Sequence, residues 1–312
     1  MPEIPDLTVY LEHLARRTKG ETFEGLRLSS PFLLRTVAPK PEALVGLRVV
    51  DWRRLGKQLV CELEGERFIV IHLMISGRLW WEKKGAKIPK GRGLAAFDFS
   101  SGTVVLTEAS KKRRASLRLV GSRDDLRALD PGGLEVLAID ERTFAARLRS
   151  ANHTLKRALT DQHVFAGIGN AYSDEILLHA KLSPFKQASQ LSDEEIARLF
   201  AATREWLARW IDILREKTRD GWPSHVTAFH PEMAVHGRYR EPCPVCGAPV
   251  QRIVYAENEA NYCARCQTGG RLLADRALSR LLHDDWPRTL ADLEERALTP
   301  PPTGSPLPRR QR

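Results

Sequence analysis

The stretch GIGNAYSDEIL, residues 167–177, decides how the chain is read. It follows HTLKRALTDQHVFA (153–166), whose helical run is broken by Gly167 and Gly169 before Asn170 opens a second helix. A turn of this kind leaves backbone amides at a helix N-terminus aimed outward, and such amides bind an anion. The chain carries 49 Lys and Arg against 39 Asp and Glu, so its formal charge is +10 and a phosphate is the expected anion. Taken alone, a glycine turn between helices is weak evidence for a phosphate contact.

Downstream, CPVCGAPVQRIVYAENEANYCARC (243–266) holds two CxxC pairs separated by sixteen residues. Two turns with a strand pair between them can close four thiolates, Cys243, Cys246, Cys263 and Cys266, tetrahedrally on one Zn2+. All four positions would then belong to protein, so the metal is structural and no water is activated on it. The remaining cysteine, Cys61 in LVCELEG, falls in an alternating stretch and reads as a buried strand residue. Five cysteines in this arrangement speak against a disulfide framework and for a metal site in a reducing compartment. Four thiolates and one Zn2+ sum to minus two, which leaves a net charge of roughly +8, still basic.

Between the two motifs, SDEEIARLFAATREWLARWIDILREK (192–217) predicts a long helix. Ser192 and Glu195 form a capping box, and Ile196, Leu199, Phe200, Thr203, Leu207, Trp210, Ile211 and Leu214 line one face. The aromatics Phe200, Trp206 and Trp210 read as core rather than as a base-stacking surface. Upstream, PDLTVYLEHLARR (5–17) spaces Leu7, Tyr10, Leu11 and Leu14 at helical intervals. Residues 49–81 and 94–109 then show short apolar runs broken by turn signals at EGE and SSG, the pattern of a β-sandwich. The loop KKGAKIPKGRG (83–93) between them is rich in Lys and Gly.

The fold class expected is therefore multidomain α+β: an N-terminal helix plus β-sandwich over 1–133, a central helical domain over 134–235 and a four-cysteine zinc finger with a helical extension over 236–286. Leucines 272, 273, 278, 281 and 282 suggest that the extension is a helix packed on the finger. The Pro-rich end from 287 to 312 predicts a disordered tail. No stretch reaches the roughly 18 apolar residues of a membrane span, and the charged first thirty residues lack a signal-peptide core. Nucleic acid is thus preferred over membrane as the polyanionic partner, in a cytoplasmic, nucleoid-associated monomer.

Four motifs together resemble the formamidopyrimidine-DNA glycosylase and endonuclease VIII family. GIGNAYSDEIL is similar to its helix-two-turns-helix signature, with the zinc finger following; MPEIPDL resembles its N-terminus, RRLGKQLV (53–60) its lysine-bearing segment and IHLMISG (71–77) its wedge-bearing strand and loop. They occur in the family's order from residue 1 to about 266. The resemblance implies a base-excision DNA glycosylase with abasic-site lyase activity acting on damaged double-stranded DNA. A proline behind an initiator methionine is commonplace, but in this setting it implies that Pro2, freed by removal of Met1, attacks C1′ of a flipped nucleotide. An α-amine has a pKa near 7.7–8.0 against about 10.4 for Lys, so roughly a tenth to a third of it is neutral at pH 7–7.5. The secondary amine gives a permanently cationic iminium that acidifies C2′ and lets the 3′ phosphate leave.

Carried over residue by residue, Glu3 becomes the acid/base group, Lys57 a phosphate contact that assists proton transfer, and Met74 or Ile75 the wedge that fills the gap in the duplex. Lys156 and Asn170 match residues that grip the backbone flanking the extruded nucleotide. Several positions depart from the family. TEASKKRRASLRL (107–119) keeps Arg113 and Arg114 for the loop opposite the lesion, but no aromatic follows them. The finger arginine falls on Asn258, with Arg252, Arg265 and Arg271 as substitutes, and Asp6 stands where a glutamate is usual. A divergent member is expected, with proline chemistry retained and lesion choice altered toward oxidised pyrimidines, an uncommon base or abasic sites. The competing reading is a DNA-binding architectural protein of the same fold, which has no need of Pro2, Glu3 and Lys57 together.

Overall fold

The computed structural model describes residues 1–150, 152–224, 230–255, 258–274 and 287–298 of the 312-residue chain. Helix α1 (Ile4–Thr18) opens it and turns Leu7, Tyr10 and Leu14 inward onto a sandwich of two four-stranded sheets. One sheet has the order β1 (Phe23–Leu28), β6 (Gly93–Phe99), β7 (Gly102–Glu108), β5 (Gly77–Glu82), and its neighbouring strands pair antiparallel. The other runs β2 (Val49–Leu55), β3 (Gln58–Leu63), β4 (Arg67–His72), β8 (Ser116–Val120), again antiparallel.

Strand periodicity of two explains what each face buries. In β3, Leu59, Cys61 and Leu63 enter the core between the sheets, whereas Val60 joins Phe68 and Val70 of β4 under Leu126 of the short helix α2 (Arg123–Arg127). Cys61 is fully buried in the sandwich core, as its alternating surroundings suggest, and burial pushes its thiol well above the usual range.

The helical part follows with α3 (Glu141–Arg149), α4 (Leu155–Thr160), α5 (Asn170–His179) and α6 (Asp193–Lys217) around one core that includes Ile4 from the N-terminus. Both capping-box bonds of α6 are present between Ser192 and Glu195. Ile196, Leu199, Thr203, Leu207, Trp210, Ile211 and Leu214 are buried along its stripe, with Phe200 and Trp206 packed beside them. Helix α6 also crosses α1, where Arg215 pairs with Glu12, and Trp222 beyond its end donates Nε1–H to the Leu79 carbonyl of β5 at 2.7 Å. The sandwich and the helices are thereby held against each other through α1, α6 and Trp222.

The last unit is the hairpin β9 (Val250–Tyr255) and β10 (Asn258–Cys263), followed by α7 (Ala264–Thr268). Leu272 and Leu273 pack on this unit, but in irregular backbone and not in the expected helix, while leucines 278, 281 and 282 lie outside the described residues. The expectation of disorder from 287 onward fails at helix α8 (Leu290–Leu298), whose Leu290 is buried in the same cluster. The proline run begins only at 300, so it does not oppose a helix ending at Leu298.

Candidate active site

The chain's first residues meet the 167–177 turn. Ile4 N–H donates to the Gly167 carbonyl at 3.1 Å, which threads the N-terminus into the helical domain. Glu3 is buried, and its carboxylate accepts N–H bonds from Gly169 at 2.6 Å, Ala171 at 3.0 Å and Tyr172 at 3.2 Å. The anion at the N-terminus of α5 is therefore Glu3, 166 residues away from Gly169 in sequence, in the place where the turn offered a phosphate a site. Gly169 is required there. A Cβ on it would lie 2.6 Å from the Glu3 carboxyl carbon and 2.8 Å from Lys57 Nζ.

Lys57 reaches this point from the β2–β3 turn. Arg54 donates to the Gly56 carbonyl at 2.7 Å and forms an ion pair with Glu135, and its guanidinium fills the space beside Gly167, whose φ of +84° suits glycine. Gln162 closes the turn from the other side, accepting from Gly167 N–H and donating to the Ile168 carbonyl, both at 2.9 Å. Burial lowers the Lys57 pKa, the Glu3 charge opposes that, and Lys156 reinforces it. Burial likewise holds the α-amine of Met1 below its ordinary range, with Glu3 and Asp6 pulling the other way. Asp6 accepts Glu3 N–H at 2.8 Å, and burial raises its carboxyl to about 7.

Met1 and Lys57 border a cavity of about 440 Å³ whose lining also includes Gln58, His72, Pro131 and Gln162. His72, part of the IHLMISG stretch, stands in this wall. Burial, with Lys57 and Arg118 adding, lowers its pKa to about 4. Its Nδ1 accepts the Met74 N–H at 3.1 Å, so the ring is neutral at pH 7 with its proton on Nε2. A neutral donor, an ammonium of lowered pKa and a carboxylate thus converge beside a chain-terminal amine.

Met74 and Ile75 occupy the turn between β4 and β5. Met74 is half-buried at φ +53°, whereas Ile75 is 57% exposed and is the more accessible side chain of the two. Arg113 and Arg114 lie exposed on the loop between β7 and β8. Buried Glu108 fastens both segments, accepting Ser76 Oγ–H at 3.3 Å and the Arg114 and Ala115 amides at 3.1 and 3.0 Å. Arg113 donates to the Gly91 carbonyl at 2.6 Å, which joins the Lys-rich 83–93 loop to the same edge.

The four sulfurs of Cys243, Cys246, Cys263 and Cys266 lie within 4.8 Å of one another. Tetrahedral zinc with Zn–S bonds of about 2.3 Å needs sulfurs about 3.8 Å apart, so the donor set fits that ion. Of the candidate finger arginines, Arg252 lies over the Tyr239 ring at 4.6 Å, Arg265 donates to the Cys246 carbonyl at 3.2 Å, and Arg271 is exposed. The side chain of Asn258 lies outside the described residues.

Models of known families match along most of the chain: the formamidopyrimidine-DNA glycosylase N-terminal domain over 1–146, the H2TH domain of the same glycosylase over 133–220, and a zinc finger found in FPG and IleRS over 240–269. The formamidopyrimidine-DNA glycosylase of Variovorax paradoxus is 32% identical over 276 residues, which are 86% of this chain and all of that one. The chain belongs to the formamidopyrimidine-DNA glycosylase family. A Mycobacterium tuberculosis relative, described as an uncharacterized formamidopyrimidine-DNA glycosylase-like protein, is 42% identical over 50% of this chain and 95% of its own. Wild-type Lactococcus lactis FPG in complex with oxidized pyrimidine containing DNA superposes with a TM-score of 0.75 at 25% identity, covering 86% of this chain and 100% of that one. A mutant of the same FPG with Fapy-dG containing DNA gives 0.76 at 25% identity over the same shares.

Within this glycosylase-family frame one expected DNA contact is corrected. Lys156 is only 2% exposed, and its ammonium donates to Asp174 Oδ1 at 2.5 Å and to the Asn170 carbonyl at 2.6 Å. Burial against a carboxylate commits Lys156 inside the protein, so it does not grip a phosphate. Asn170, half-buried as the first residue of α5, remains at the site's edge. Asp174 and Glu175, present in the opening motif, went unremarked in the sequence. A signal existed: two adjacent acids in an otherwise apolar helix must be paired if the helix is buried, and α5 is buried from Ala171 to Leu178.

Proposed function

We propose that this protein is a base-excision DNA glycosylase with abasic-site lyase activity on damaged duplex DNA. The observation that carries this reading is the Glu3 carboxylate, held by three amides at the N-terminus of α5 against Lys57 beside the chain's own amino terminus. Removal of Met1 would leave the Pro2 secondary amine among the same groups. Burial there keeps an amine deprotonated more readily than in water.

Pro2 nitrogen forms a bond to C1′ as the C1′–N glycosidic bond breaks, and the base departs with the proton it gains. The sugar ring opens to an iminium. Glu3 lies where it would pass a proton to the ring oxygen and later take one from C2′. Loss of that proton expels the 3′ phosphate, and water releases the enzyme from the sugar. Lys57, with His72 Nε2–H in the same wall, would meet the departing phosphate. Ile75 fills the gap in the stack, and Arg113 and Arg114 face the opposite strand. Asn170 contacts the flanking backbone. Cys243, Cys246, Cys263 and Cys266 hold one structural Zn2+, which supplies shape and no reactive water.

Among the described residues no helix is long and apolar enough to cross a membrane. A cytoplasmic, nucleoid-associated monomer is part of the same reading.

Borohydride trapping tests it. Wild-type protein is incubated with duplexes bearing abasic sites, oxidised purines and oxidised pyrimidines, and covalent adducts are expected with at least one. Trapping of Pro2→Gly at the wild-type level would sink the proposal. Product ends on the abasic duplex distinguish β- from β,δ-elimination.

A further inference from the structure

Asp174 carries no function in the reading above, yet it is a buried acid near the site that accepts three side-chain hydrogen bonds. Its side chain is fully buried. Oδ1 accepts from Lys156 Nζ at 2.5 Å, and Oδ2 accepts from His236 Nδ1 at 2.8 Å and Asn261 Nδ2 at 3.3 Å. The donors come from α4, from the segment entering the finger and from β10, so one carboxylate gathers three separate parts of the chain. Its neighbour Glu175 accepts the amides of Ala234, Val235 and His236 at 2.8, 2.9 and 3.0 Å.

The connection continues to the reacting end. Lys156 also donates to the Asn170 carbonyl at 2.6 Å, and Asn170 lies between Gly169 and Ala171, whose amides hold Glu3. On the far side, Asn261 is two residues from Cys263. Hydrogen bonds therefore link Asn261, Asp174, Lys156 and the Asn170 carbonyl in series, and the backbone joins this series to Cys263 at one end and to the amides that grip Glu3 at the other. Buried ion pairs are weak sources of stability, since apolar residues of similar volume often serve as well. What an apolar replacement cannot do is aim the Asn170 carbonyl.

We propose that Asp174 is a positioning residue that fixes Glu3 from the finger side. The role rests on the assignment of Glu3 made above. Two variants test it: Asp174→Asn, and the pair Lys156→Met with Asp174→Asn, which leaves no unpaired buried charge. Each is checked for folding by circular dichroism. Three quantities are then measured: amide hydrogen exchange at Gly169, Ala171 and Tyr172, affinity for a duplex with a tetrahydrofuran site, and single-turnover trapping at saturating abasic duplex.

Displacement of a catalytic group by about 1 Å costs on the order of a hundredfold in rate, and that loss is expected with affinity within roughly threefold of wild type. The three amides should exchange faster. A folded double variant with wild-type trapping and wild-type exchange overturns the proposal, as does a rate loss that saturating DNA restores. Where neither variant folds, Asn261→Ser carries the test, because it keeps the ion pair and removes only the finger's donor; wild-type values there overturn the proposal equally. Failure of the Pro2 assignment is recognised separately, because Pro2→Gly would then trap normally while amide exchange still reports on Asp174.

Discussion

Replacing Gly169 by Ala should separate chemistry from DNA binding more cleanly than any change at an ionisable residue. The φ of −133° at Gly169 is extended backbone that alanine adopts without strain, so the effect comes from the added methyl group. That carbon would stand 2.6 Å from the Glu3 carboxyl carbon and 2.8 Å from Lys57 Nζ. Ordinary contact begins near 3.5 Å, so the two groups must retreat by about 1 Å. Glu3 then loses good geometry to the Gly169 and Ala171 amides, now 2.6 and 3.0 Å away. A displacement of that size costs about a hundredfold in rate, or roughly 2.7 kcal/mol in the barrier. Fold stability should fall by about 1–3 kcal/mol, the usual cost of weakening a hydrogen bond to a buried charge. The assay is single-turnover borohydride trapping at saturating abasic duplex, with affinity for a tetrahydrofuran duplex measured by fluorescence anisotropy. A folded Gly169→Ala protein that traps within threefold of wild type would refute the geometry assigned to Glu3 and Lys57.

Burial raises Asp6 from 3.8 to about 7, so the folded state binds this proton more tightly than the unfolded chain does. Its contribution to stability is present below pH 4 and is lost as pH rises through 7, to an extent of roughly 4 kcal/mol. Asp6→Asn should therefore lose less stability than wild type between pH 4 and pH 8 in urea titrations, and parallel profiles would contradict the assignment. Replacing exposed Ile75 by Gly should reduce base extrusion about tenfold, read from 2-aminopurine fluorescence opposite an abasic site, because the unstacking cost of a few kcal/mol is no longer offset. Met74→Ala should change extrusion less, since that side chain is half-buried. Cys266→Ser should lower bound zinc from one equivalent toward none by metal analysis, and duplex affinity should weaken with it. Retention of a full equivalent would remove the four-cysteine assignment.

Much of the local structure was legible because local structure obeys short-range rules. The capping box at Ser192, the stripe of α6, the parity of β3 and the spacing of the cysteines each depend on residues a few positions apart. Even the place of Gly167 and Gly169 between two helices could be read directly. What the turn binds could not. The amides of α5 were visible as anion seekers, but only folding brings Glu3 to them across 166 residues. Lys156 looked like a surface cation because nothing within a helical turn of it is acidic; its partner Asp174 is 18 residues on, reached only when α4 packs on α5. His72 became a neutral donor through burial, which no alternation pattern specifies. Sequence by itself determined most of the elements up to the finger, the four-cysteine set and the family motifs, since these rest on period, spacing and residue type. Tertiary structure decided which charge meets which partner, because desolvation and hydrogen bonding at long sequence separation depend on how the elements pack.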